Sequence, residues 1–143
     1  MTMQRDEFLA LLGELPEPSP LAPKGIESVD CGPYVREKIA YDVAPGERIH
    51  AYLLLPKGAR TPRPAIFCHH QHNREYHIGK GEVVGLLGNP EQAYAAELAL
   101  RGYVTLAPDA PCFEERADPD DPVAFHHHLM KNLLIEGKTL LGK

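Results

Sequence analysis

The densest chemistry in this chain lies in one stretch, His69-His70-Gln71-His72-Asn73-Arg74-Glu75-Tyr76-His77-Ile78-Gly79-Lys80-Gly81-Glu82. Imidazole titrates near neutral pH and serves as base, acid or metal ligand. The stretch directly follows an apolar run, Ala65-Ile66-Phe67-Cys68, that reads as a strand. In α/β sheets ligands bind where strands end at their carboxyl side. The loop from His69 onward is therefore the expected functional end. A second apolar run, Tyr103-Val104-Thr105-Leu106-Ala107, stops in the same way at Pro108-Asp109.

Metal binding is one chemistry these residues could carry. His69, His70, His72 and His77 lie close together with Glu75 among them, and imidazoles at this density can take zinc or nickel. Neighbouring side chains on a strand point to opposite faces, which separates His69 from His70. The run His126-His127-His128 is internal, and on a helix its rings point about 100° apart. A partly buried helix face fits it better than a shared metal. A His-rich metal-binding module stays open as an alternative, although no metal and no cofactor is expected.

Nucleophiles are scarce. The chain has two serines, Ser19 and Ser28, neither flanked by glycines nor set in a strand–turn–helix context. Cys112, in Pro111-Cys112-Phe113, has no local activating group and reads as a buried, inert thiol. Asp109 reads as a loop brace, the common use of an acid just past a strand.

Bulk properties narrow the class. At 143 residues, 43% hydrophobic and 24% charged, the chain makes one globular domain at most. A net charge of −5 argues against nucleic acid or an anionic membrane as partner. The three cysteines are odd in number and widely spaced, against a disulfide framework or zinc ribbon. The acidic amino terminus lacks the apolar core of a signal peptide, and no apolar run approaches a membrane span of roughly 18 residues. A cytoplasmic setting is expected.

The elements that must position the loop follow from patterning. Residues 4–15 carry a one-sided apolar stripe and predict a helix; Pro16, Pro18, Pro20 and Pro23 then predict an extended arm. Residues 34–43 alternate, with Val35, Ile39, Tyr41 and Val43 on one face. Pro45-Gly46 turns the chain into a returning strand at 48–55, closing a hairpin. After a polar loop at Gly58–Pro64 comes the mostly apolar strand 65–69, expected to be buried on both faces. Asn89-Pro90-Glu91 starts a helix that Gly102 ends. Asp121 and Pro122 start another, with Phe125, Leu129 and Leu133 recurring every four residues. Leu140 to Lys143 has nothing after it to pack against. The order after the arm, β-β-β-α-β-α, predicts α/β architecture with strands 65–69 and 103–107 parallel.

Two matches give a family resemblance. The strand ending at His69-His70-Gln71, together with Gly102-Tyr103-Val104 through Pro108-Asp109-Ala110, resembles the front half of an α/β-hydrolase of the dienelactone hydrolase-like kind. The continuation, Pro111-Cys112-Phe113-Glu114-Glu115-Arg116, is similar to a subgroup named acetyl xylan esterase-like. The resemblance covers roughly residues 34–143. It implies a domain division into a helix and Pro-rich arm at 1–33 and the N-terminal portion of a hydrolase domain at 34–143, with an incomplete three-layer sheet. It implies hydrolysis of an ester or related carbonyl bond of a small-molecule substrate.

The resemblance also assigns roles. His69 would shape the oxyanion loop, and the Gln71 backbone N–H would donate to the oxyanion, with His70, standing where glycine is usual, as alternative donor. Such a donor is worth about 2.7–4 kcal/mol. In the family the nucleophile elbow Gly-x-Ser-x-Gly, the acid and the His all follow this region. None of the three is present here, so the chain by itself is expected to be inactive. The family's sheet also sets a further strand beside residues 65–68. An unpaired edge there is expected to be covered by a second chain or a homo-oligomeric copy. A non-catalytic homodimeric scaffold is a second alternative.

Overall fold

The computed structural model describes residues 4–58 and 62–143; part of the expected Gly58–Pro64 loop lies outside them. The elements run α1 (Arg5–Ala10), β1 (Lys24–Asp30), β2 (Tyr34–Ala44), β3 (Glu47–Pro56), β4 (Ala65–Phe67), α2 (Lys80–Val83), α3 (Tyr94–Leu100), β5 (Val104–Pro108) and α4 (Pro122–Ile135). The five strands form one sheet in the order β1-β2-β3-β5-β4. This is the mixed α/β architecture that the sequence predicts, with β4 and β5 parallel and the other pairs antiparallel.

The β2–β3 hairpin turns at Pro45-Gly46. Proline presets its φ, and Gly46 takes φ 76°, a left-handed value that glycine tolerates without a steric penalty. The chain ahead of β2 does more than brace a surface, because residues 24–30 pair with β2 as a full edge strand. Arg48 ties that segment down, donating to Asp42 and to the carbonyls of Ala22 and Ala40. The first helix is shorter than its apolar stripe: it ends at Ala10, and Phe8, Leu11 and Leu15 remain exposed.

One face of the sheet is covered by a helix, while the other is buried at Ile49, Ala51 and Pro108 and half-open elsewhere. Helix α3 packs on the first face through Ala95 and Ala99, against Tyr52, Leu54, Cys68 and Ala107. Thr105 Oγ1 donates to the Ala95 carbonyl at 3.2 Å, locking β5 to α3. Cross-strand partners share a face, so Leu53, Leu106 and Phe67 make a row on the opposite side. That row is only half-buried, and Phe67 is 51% exposed.

Burial in β2 does not follow its apolar and polar sides. Val35 and Ile39 lie on the half-exposed face, opposite Leu55 and Ala51. Tyr34 and Ala40, the buried residues of β2, share the covered face with Arg36 and Lys38. Alternation showed that two faces exist, but coverage decides which one is buried. The same reason corrects the expectation for β4. It is an edge strand with β5 on one side only, and Ala65 and Phe67 are exposed.

The carboxyl terminus does find a partner. Thr139 Oγ1 donates to the Leu12 carbonyl at 2.6 Å, Gly13 bridges to Lys138, and Lys143 Nζ lies 2.7 Å from Glu47. Helix α4 starts as predicted, with the Asp121 carboxylate accepting from the Ala124 N–H at 2.9 Å. Of its residues only Leu133 is buried. With so little tertiary support, α4 should depend on its cap. Asp121→Ala is expected to weaken it by about 1 kcal/mol. Faster amide exchange confined to residues 122–135 would be the readout.

Candidate functional site

The loop leaving β4 is held from several directions. The Tyr94 hydroxyl, at the start of α3, donates to the His69 carbonyl. His70 Nε2 lies 3.0 Å from the Ala110 backbone N and accepts from it. A neutral ring that accepts at Nε2 carries its proton on Nδ1, so Nδ1–H donates to the Gln71 carbonyl at 2.9 Å. His70 therefore clamps the loop after β4 to the loop after β5. Its ring also packs on Phe113, 4.8 Å between centroids.

Gln71 is anchored through its side chain. Nε2 donates to both oxygens of Glu82, at 3.2 and 3.0 Å, and Glu82 also accepts from the Asn89 N–H. Glu82 is buried with no cation beside it in this network, so these hydrogen bonds are what offset its desolvation. Among the described residues, no group accepts from the backbone N–H of His70 or Gln71. His69 contributes its carbonyl to Tyr94 and packs its ring against Phe67 at 4.7 Å, tilted by 57°.

Behind this loop lies a charge cluster centred on Lys80. Lys80 is fully buried, with Nζ 2.7 Å from Asp109, 2.8 Å from Glu114 and 2.7 Å from Glu115. The backbone N–H groups of Lys80 and Gly81 donate to Asp109 and Glu114. Oxygens of the three acids lie within 4.8 Å of one another, a spacing suited to a cation, and the Lys80 ammonium fills the centre. Burial alone would lower the lysine pKa, but the hydrogen bonds and charges of its acids more than offset this and hold it above the ordinary range. Burial likewise pushes Glu115 up. Hydrogen bonds from Lys38 and Lys80, with the Lys80 charge and His50, outweigh it and bring Glu115 from 4.5 to about 2. Asp109 is thus a brace, as its position predicted, but in a buried ion cluster rather than a simple loop cap.

One signal for this cluster was present in the sequence. Lys80 sits between two glycines, and a Cβ at Gly79 would run into the Asp109 carboxylate, while one at Gly81 would come within 3.1 Å of Glu114. Gly79 thus leaves the space that the Asp109 carboxylate occupies, while the first atom a Gly81 Cβ would meet belongs to Leu87, at 2.9 Å. Cys112 is buried, and burial raises its thiol, in keeping with an inert role.

His72, Tyr76, Phe113 and His126 form an aromatic cluster, with His72 and His126 5.5 Å apart between ring centroids. His69, His72 and His126 then line a cleft of about 700 Å³ at the carboxyl ends of β4 and β5. Pairing across 54 positions, between the loop and α4, is not visible in local spacing. His77 is exposed and stands apart from these rings.

Fold and site together define a mixed α/β protein whose polar loops gather where two parallel strands end. The fold is similar to a crystal structure from Bacteroides fragilis NCTC 9343 titled as "a putative acetyl xylan esterase" (TM-score 0.74, 22% identity), covering 94% of this chain and 37% of that one. The sequence is 28% identical over 142 residues to the Bacillus subtilis (strain 168) protein named "Putative hydrolase YtaP", covering 97% of this chain and 45% of that protein. The chain thus spans less than half the length of these relatives. No family model matches it.

Lys80→Met is expected to destabilise the fold by about 3–5 kcal/mol, because it leaves Asp109 buried without its cation. Adding Asp109→Asn should restore part of that loss in urea unfolding. Glu115 has a depressed folded pKa, so its contribution is complete above pH 4.5 and is lost as pH falls toward 2. Glu115→Gln should flatten that part of the stability–pH curve.

Proposed function

We propose that this chain is the amino-terminal portion of a serine-type ester hydrolase of the dienelactone hydrolase-like, acetyl xylan esterase-like kind. In this reading it supplies the oxyanion loop, and the nucleophile, acid and His come from sequence beyond it. The observation that carries the reading is the loop at 69–71. It stands at the carboxyl end of a parallel strand, is clamped by Tyr94, the backbone N–H of Ala110 and Glu82, and leaves the Gln71 amide without a partner among the described residues. A rigid, unengaged N–H beside a cleft is what stabilising a developing oxyanion requires. The names and lengths of the relatives support the class.

His69 shapes the loop, and Gln71 is the donor, with the His70 amide as alternative. The His70 ring is what replaces the flexibility of the usual glycine with a fixed clamp. The bare edge of β4 is covered, in this reading, by the next strand of the fold, on the same chain or a second one, or by a homo-oligomeric copy. Three free thiols and a negative net charge suit a reducing cytoplasm, away from nucleic acid and membrane. No helix among the described residues is long and apolar enough to cross a membrane.

The test is complementation. The chain alone should hydrolyse p-nitrophenyl acetate no faster than buffer. Co-expression with the carboxyl-terminal segment of the Bacillus subtilis relative should restore turnover that a serine-directed inhibitor abolishes, and the amides of 65–67 should become protected from exchange. Inhibitor-sensitive turnover by the isolated chain would refute the reading, since Ser19 and Ser28 both precede β2.

A further inference from the structure

Helix α4 is joined to the rest of the fold by few buried side chains. Leu133 is its buried residue, and nearer its amino end Leu129 packs against the cluster of Tyr76, Cys112 and Phe113. Beside Leu129 the contact is aromatic. His126 lies 5.2 Å from Tyr76 and 5.5 Å from His72 between ring centroids, and its neighbour His127 is 5.8 Å away. His126 also lines the cleft at the ends of β4 and β5, so α4 forms part of that wall.

Hydrogen bonding suits both rings of this contact to their neutral form. Tyr76 is buried, and its hydroxyl has no partner among the described residues other than His126 Nδ1, at 3.3 Å. The hydroxyl proton therefore goes to that nitrogen, and the ring carries its own proton on Nε2. His72 Nδ1 accepts from the Arg74 N–H at 3.3 Å, across a turn in which Asn73 and Arg74 take left-handed φ values of 34° and 57°. A second ring proton would deprive Tyr76 of its acceptor in one ring and set two donors against each other in the other.

The surrounding charge gives an imidazolium nothing to gain. Among the described residues the histidine paired with a carboxylate is His50, with Glu115. The titratable groups facing His126 are His72 and Tyr76 from the loop after β4 and His127 on α4 itself. Of the charged residues lining the same cleft, Asp109 is committed to Lys80, while Arg116 and Lys143 share the single Glu47 carboxylate and leave positive charge in excess. Tyr41 and His69 complete its titratable lining. Burial lowers the His126 pKa, and the neighbouring His72 and His127 lower it further.

We propose that the His72–His126 contact is an acid-sensitive latch: neutral rings hold the amino-terminal half of α4 against the loop after β4 and close that wall of the cleft, and protonation releases it. Released, His126 is solvated and titrates near the ordinary imidazole value of about 6.5. Docked, it resists its proton, so the docked form binds fewer protons than the released one. The latch is therefore complete above about pH 6.5 and weakens as pH falls below it. It requires no reaction, and so stands apart from the hydrolase reading.

The test is amide exchange of this chain at about pH 7.5 and about pH 5.5, expressed as protection relative to the intrinsic rate, on either side of the ordinary imidazole value. Protection at 124–130 should fall about tenfold at the lower pH, where a released His126 is protonated about ten to one. Protection across β2 and β3 should be unchanged. His126→Phe keeps an aromatic ring and takes no proton, and it should abolish the pH-dependent loss. His72→Phe should reduce that loss while leaving His126 its bond to Tyr76, and it decides the matter if His126→Phe fails to dock α4. Protection at 124–130 independent of pH in the unaltered chain would overturn the latch. So would a loss that persists undiminished in either variant, or one that spreads equally to β2 and β3.

Discussion

The ammonium of Lys80 holds together the end of the sheet where function is expected. It is fully buried, it lies on α2, and its partners Asp109, Glu114 and Glu115 all follow β5. The cluster thereby joins the loop leaving β4 to the loop leaving β5. A buried ion pair is weak evidence of net stability, because desolvation opposes the Coulomb gain. Its value lies in geometry. Three carboxylates around one lysine admit a single arrangement of two loops, and removing the lysine leaves a buried carboxylate unpaired. Glu115 carries the effect outward through Lys38 and His50, so the register of the β2–β3 hairpin is tied to the same point.

Around that fixed point the polar loop is arranged by neutral hydrogen bonds and one buried carboxylate. His70 accepts from Ala110 and donates to Gln71, Gln71 donates to Glu82, and Tyr94 donates to His69. Each bond is modest alone, and together they leave residues 69–71 little freedom. A site that must present a backbone N–H to a developing charge benefits from this, because reorganisation at the moment of reaction is already prevented.

The sheet shows a second constraint, its unequal faces. Helix α3 covers one side, where small residues, Ala95, Ala99 and Ala107, let helix and sheet approach closely. The other side presents Leu53, Leu106 and Phe67 half-covered, β4 is an edge, and α4 leaves Leu134 and Ile135 outside. Long-lived exposure of this much apolar surface is unusual for a protein acting alone. The relatives this chain matches are themselves longer, with 45% and 37% of their lengths covered. The proposed esterase role and the covering of the β4 edge are therefore parts of one reading.

Local sequence determined the strands of the hairpin, the Asp121 cap and the Gly102 terminus, because those depend on backbone preferences within a few residues. The helix expected from Asn89 is split: Asn89 caps a single 3-10 turn, Pro90–Gln92, and α3 starts at Tyr94 with no side-chain cap. The parallel pairing of β4 with β5 followed from the order of elements, since a helical crossover joins them. Local sequence also marked 69–71 as the loop at a strand end. The tertiary structure alone decided which face of β2 is buried, that 24–30 pair as a strand, that the chain terminus packs on Leu12, and that Lys80 meets three acids from residues 109–115. It likewise decided that His72 meets His126. These outcomes depend on which segments the folded chain brings together, and burial, charge pairing and side-chain contact between distant segments leave no periodic trace. Only Gly79, beside Lys80, recorded in sequence the close approach of Asp109 that the fold imposes there.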